Sequence, residues 1–156
     1  YRNNFKGVEA KSLKTKFILF GSLDDIWFNL DTDEIVVLDY KATSNKNLED
    51  YTTSTKYYHK SYLRQLDFYA YLLKLNEFKV HKIGYWMICN AANENQKTFN
   101  ENISFKTSLL SYELKTDYIE DTLVDLNECL ESDLPPISGE DCDNCRWFED
   151  RKKIKI

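Results

Sequence analysis

Residues 36–41 read Val-Val-Leu-Asp-Tyr-Lys, an apolar run that ends in a carboxylate and an ammonium two positions apart. On a strand, residues i and i+2 share a face, so Asp39 and Lys41 point the same way and the Tyr40 side chain points opposite. Burying either charge alone costs several kcal/mol or forces a pKa shift, so such a pair persists where something in the site compensates it. A metal ion would do that. Gly21-Ser22-Leu23-Asp24 brings a second carboxylate on a strand expected to be adjacent, with Gly21 permitting a bulge or a close backbone approach. Asp24, Asp39 and the Tyr40 backbone carbonyl would then converge on one point. Oxygen ligands of this kind suit Mg²⁺ or Mn²⁺, and the chemistry implied is phosphodiester hydrolysis by a metal-activated water. Lys41 would orient or help deprotonate that water, or stabilise charge growing on the phosphate.

The elements that must position these groups are legible in the patterning. Lys16 to Phe20, Asp24 to Leu30 and Glu34 to Tyr40 are rich in β-branched and aromatic residues, and Asp31-Thr32-Asp33 is a short polar turn. They read as a meander ending in a hairpin. Ile35 to Leu38 is apolar on both faces, as in a central strand. After a polar loop from Ala42 to Thr55, residues Tyr58, Tyr62, Leu66, Tyr69, Ala70 and Leu73 recur at three- and four-residue spacing and predict a helix over Lys56 to Asn76. A strand is expected over Val80 to Cys89, another within Ile103 to Leu114, then a helix from Asp117 to Leu130, which Pro135-Pro136 follows. The expectation is an α/β domain with a mixed central sheet flanked by helices.

The chain's 156 residues, 42% hydrophobic and 15% aromatic, suffice for one domain with a core and are too few for two comfortable ones. It opens at Tyr1 without a secretory pattern, which points to the C-terminal part of a longer protein, with residues 135–156 as a tail carrying Cys-x-x-Cys. No apolar run approaches the roughly 20 residues of a membrane span. Four cysteines without a secretory signal read as reduced thiols or metal ligands, hence an intracellular, cytoplasmic location. A net charge of −5 is the wrong sign for binding nucleic acid over the whole surface. It leaves room for a local basic stripe of Lys56, Lys60 and Arg64 on the long helix, the candidate phosphate contacts.

Gly21-x-x-Asp24, then Asp39-Tyr40-Lys41, then Gln65-x-x-x-Tyr69 on the following helix resembles the RecB-like branch of the PD-(D/E)XK nuclease superfamily. The resemblance implies a restriction-endonuclease-like fold, a DNA substrate and a catalytic core of Asp24, Asp39 and Lys41. Gln65 and Tyr69 would help position DNA or the catalytic groups, and Glu9 would be a further metal-ligand candidate. Independently, the i, i+4 spacing of Gln65 and Tyr69 puts both on one helical face. Relatives with an iron–sulfur cluster, including the nucleases of CRISPR adaptation, end in a cysteine cluster after a Pro-containing linker. Pro135-Pro136 followed by Cys142-x2-Cys145-Arg146-Trp147-Phe148 resembles that tail, but Arg151 and Lys152 stand where a third cysteine would fall. A cluster or zinc ion at Cys142/Cys145 is therefore not expected.

Blander readings stand beside these. A lone Asp-x-Lys is usually a surface ion pair worth under about 1 kcal/mol, and it is the spacing with Gly21, Asp24, Gln65 and Tyr69 that lifts it above that. A basic stripe is commonly a solvated helix face. Cys89 and Cys129 are expected in the core, Cys142 and Cys145 as small packing side chains, and His59 and His81 as surface or packing residues. The rival functions are a catalytically silent nucleic-acid-binding or assembly module of the same fold, and a thiol-dependent redox or zinc-binding domain. Nothing in the sequence indicates protein partners.

Overall fold

The computed structural model describes residues 7–45, 50–91 and 103–153. Part of the expected polar loop (46–49) and the end of the tail (154–156) lie outside them. In chain order the elements are β1 (Val8–Lys11), β2 (Ile18–Gly21), β3 (Asp25–Asn29), β4 (Glu34–Thr43), α1 (Tyr57–Leu75), β5 (Ile83–Ala91), β6 (Phe105–Glu113), α2 (Ile119–Glu131) and α3 (Asp143–Lys152). A four-stranded sheet runs in the order β3-β4-β5-β6, and β1 and β2 form a separate two-stranded sheet.

β3 and β4 form the expected antiparallel hairpin, with Ile26 opposite Val37 and Phe28 opposite Ile35. Its turn is closed by the Asp33 amide donating to the Asn29 carbonyl (2.9 Å) and by the Asn29 side chain accepting from the Asp31 amide (3.0 Å). Asp33 takes a positive φ of 57°, a conformation Asp tolerates in turns. β4 pairs in parallel with β5, Lys41 opposite Ile88, and a parallel pair needs a long crossover, which α1 supplies. β6 returns antiparallel to β5.

The apolar side chains that α1 turns inward meet the sheet's inner face. Leu66, Ala70 and Leu73 pack with Ile35, Val37, Trp86 and Ile88. Asp39 and Lys41 continue that inner face beyond Val37, so the site opens where this core ends. A second core joins α1, the small sheet and the start of α2 through Leu19, Tyr71, Leu72 and Ile119.

Two expectations are corrected. β2 does not continue a meander into β3; it pairs with β1, Gly21 opposite Val8. Its alternation of exposed and buried residues fits any half-buried strand, and packing against α1 decides its partner. Within the 135–156 tail, the Cys142–Cys145 segment opens a helix, α3. Cys129 is exposed rather than in the core, because α2 buries only Ile119 and Glu120 in its first turn, and Cys89 is half-buried. No helix among the described residues is long and apolar enough to cross a membrane.

Candidate active site

Two strand ends and one helix face build the site. Asp24 precedes β3, where the antiparallel register would set it opposite Asp39, and its Oδ2 accepts the Tyr40 backbone N–H at 3.0 Å. The carboxylate thus terminates the ladder by taking the amide that a further β3 residue would have paired. Tyr40 turns to the opposite face, as alternation dictates, and its hydroxyl donates to Asp25 Oδ2 at 2.7 Å.

Asp39 is fully buried. Lys41 Nζ stands 2.5 Å from Asp39 Oδ2 and donates to Gln65 Oε1 at 2.9 Å. The Asp39 oxygens have no aligned hydrogen-bond donor, so the contact with Lys41 is ionic and Oδ1 is left without any partner. Gln65 Nε2 donates to the Tyr69 hydroxyl at 2.9 Å, which fixes the amide orientation, because only its oxygen can accept from an ammonium. The chain Lys41–Gln65–Tyr69 therefore has one consistent set of donors and acceptors, and the ion pair attaches Asp39 to it.

Gly21 explains the beginning of the motif. A Cβ there would lie 2.8 Å from Leu72 Cδ1 and 3.1 Å from Tyr69 Cε1, so the glycine lets β2 back directly onto the ring that orients Gln65.

The electrostatics are strained in one direction. Burial pushes the Asp39 carboxyl above its usual range; the Lys41 ammonium pulls it back, and the neighbouring Asp24 carboxylate pushes it up again. Asp24 is thus close enough for its charge to act on Asp39. Two adjacent carboxylates, one with an orphaned buried oxygen, form an all-oxygen donor set that fits a hard divalent cation. Among the described residues no group of three or more His, Cys, Asp or Glu side chains is arranged to hold a metal ion. Glu9 accordingly does not complete a triad; it stands exposed on β1, where its carbonyl accepts from Asn76 at the far end of α1.

Lys56, Lys60 and Arg64 do not join the charged chain. At about 100° per residue, Lys60 and Arg64 project roughly 140° and 100° around the helix from Gln65. Lys56 lies at the N-cap of α1 with its ammonium 5.8 Å from the Tyr58 ring centroid. Cys142 is the N-cap of α3, its Sγ accepting the Cys145 amide at 3.4 Å, and neither thiol joins a metal-binding group with Cys89 or Cys129. Tyr62 belongs to the site although the periodicity assigns it to the core: the Lys41 ammonium lies 4.5 Å from its ring centroid. The available signal is position, since Tyr62 precedes Gln65 by one helical turn and shares its face.

A mixed sheet with a helical crossover, carrying Asp39-Tyr40-Lys41 where its inner core ends, defines the restriction-endonuclease-like class. The chain belongs to the PD-(D/E)XK nuclease superfamily, whose family model matches residues 2–149. A nuclease-type function, with nucleic acid as substrate, follows from that membership. No curated protein and no solved structure matches the chain.

Proposed function

We propose that the chain is a Mg²⁺- or Mn²⁺-dependent deoxyribonuclease of the RecB-like branch, with Asp24, Asp39 and Lys41 as its catalytic core. The observation that carries this reading is the Lys41 ammonium between Asp39 and Gln65, beside a buried Asp39 oxygen with no partner. Asp24, Asp39 and the Tyr40 carbonyl would hold the cation. When bound, the ion supplies Lewis-acid polarisation of a phosphoryl oxygen and a lowered pKa for a ligated water.

This chain's own residues do the rest. The ammonium of Lys41 has three N–H donors; one is given to Gln65 and Asp39 is met as an ion pair, so donor capacity remains for a substrate oxygen. The Tyr62 ring lies against that ammonium, 4.5 Å from it to the centroid, in a cation–π contact that fixes its position. Lys41 thereby orients the attacking water or stabilises charge developing on the phosphate. Gln65, held by Tyr69, keeps the ammonium on target. Lys56, Lys60 and Arg64 would contact backbone phosphates as the strand runs along α1.

The test is cleavage of labelled single- and double-stranded DNA with Mg²⁺, Mn²⁺ or EDTA, comparing wild type with Asp39→Ala and Lys41→Ala. Metal-dependent cutting by wild type, abolished by EDTA and in both variants, is expected. A folded wild type that cuts neither substrate would overturn the reading and leave a silent binding module.

A further inference from the structure

α1 carries the site stripe one turn further than hydrolysis requires. Tyr58, Tyr62, Gln65 and Tyr69 lie on one face of the helix, and Tyr58 stands one turn before Tyr62, at the start of α1. Its ring centroid is 5.9 Å from that of Tyr62, and the Lys41 ammonium is 4.5 Å from the Tyr62 centroid. Tyr62 thus links Tyr58 to the Lys41 ammonium through two consecutive ring contacts. Tyr58 is 45% exposed, so part of the ring is open to solvent.

The ring is also held. It meets buried His59 edge-to-face at 4.4 Å, and His59 in turn packs on Tyr51 at 4.4 Å and Tyr62 at 5.7 Å. An aromatic held by its neighbours and partly exposed offers stacking area without a large ordering cost. The Lys56 ammonium lies over the ring, 5.8 Å from its centroid, on a long side chain that a stacking base would displace towards its own phosphate.

We propose that Tyr58 is a base-stacking residue that makes the site selective for single-stranded nucleic acid. A base in a duplex has both faces covered by its neighbours, whereas an unpaired base next to a phosphate held at Lys41 can lay one face on Tyr58. This inference deepens the nuclease reading and rests on it.

The experiment uses a short single-stranded oligonucleotide carrying 2-aminopurine, whose fluorescence is quenched by stacking, and a matched duplex. Binding is measured with Ca²⁺ in place of Mg²⁺, and kcat/KM with Mg²⁺, for wild type, Tyr58→Ala and Tyr58→Phe. The expected result is quenching of the single strand by wild type, with about tenfold weaker binding and kcat/KM in Tyr58→Ala. The loss is larger on single strand than on duplex, and Tyr58→Phe, which keeps the ring, recovers most of it. A wild type that cuts DNA while Tyr58→Ala binds and cuts single strand equally well would overturn the stacking role and leave the nuclease reading intact. A folded wild type that cuts nothing would overturn both.

Discussion

Lys41 is the residue whose loss the site tolerates least, because its ammonium balances a carboxylate with no exposure to water. Lys41→Ala is expected to lower kcat by about 100-fold or more in a cleavage assay, and circular dichroism should show the fold retained. Gln65→Ala should behave differently. Gln65 is a positioning residue that acts through Lys41, so kcat should fall about tenfold while KM changes little. Tyr69→Phe should give a smaller loss of the same kind. The sign of the Asp39 shift sets a pH dependence. A raised carboxyl pKa means that the proton is held more tightly, and a cation must displace that proton. The acid limb of metal-dependent activity should therefore lie above the ordinary Asp range and move to lower pH as metal concentration is raised. An acid limb indifferent to metal would count against Asp39 as a ligand.

At the scale of elements, the site depends on where α1 is held, and Glu120 of α2 ties it to the segment between β1 and β2. Glu120, in the first turn of α2, is buried and accepts from the Ser12 hydroxyl (2.8 Å), the Leu13 and Lys14 amides (3.0 Å each) and the Tyr71 hydroxyl. Burial alone would push this carboxyl up, but the four donors together hold it below its usual range. A depressed folded pKa contributes stability above the unfolded value, and that stability is lost as pH falls through the folded value. Glu120→Gln should therefore be less stable than wild type at pH 7, with the gap narrowing in acid, as read by denaturant unfolding across pH. Glu120→Ala, which strands four donors, should cost about 3 kcal/mol at neutral pH. The hairpin, the crossover helix and β5 were legible because each carries a strong periodic signal. The partner of β2 was not, since four alternating residues fit any sheet edge and contacts distant in sequence decide the pairing. α3 escaped notice for a related reason: it buries no residue, and its cap is a cysteine, outside the usual Ser, Thr, Asp and Asn set.

At the scale of the whole molecule, the catalytic constellation gathers residues 24–69 from two strand ends and one helix, and the small sheet presses that helix into place. Gly21 is one close contact between the two, beside Leu19. Gly21→Val should push against Tyr69 and Leu72 and reduce activity more than it reduces stability, as seen by comparing kcat with the thermal midpoint. Asp24, Asp39, Lys41 and the Gln65–Tyr69 pair could be read from the sequence because their spacing is local to each element. Tyr62 beneath Lys41, the orphaned Asp39 oxygen and the separation of Lys60 and Arg64 from Gln65 needed the packed structure, because periodicity alone does not tell a core face from a site face. The most direct measurement is Mn²⁺ binding, followed through the electron paramagnetic resonance signal of the free ion, with wild type, Asp24→Asn and Asp39→Asn in the presence of DNA. Binding by wild type and its loss in both variants is the expected result; binding that survives both substitutions, or none by a folded wild type, would contradict a metal centre at Asp24 and Asp39.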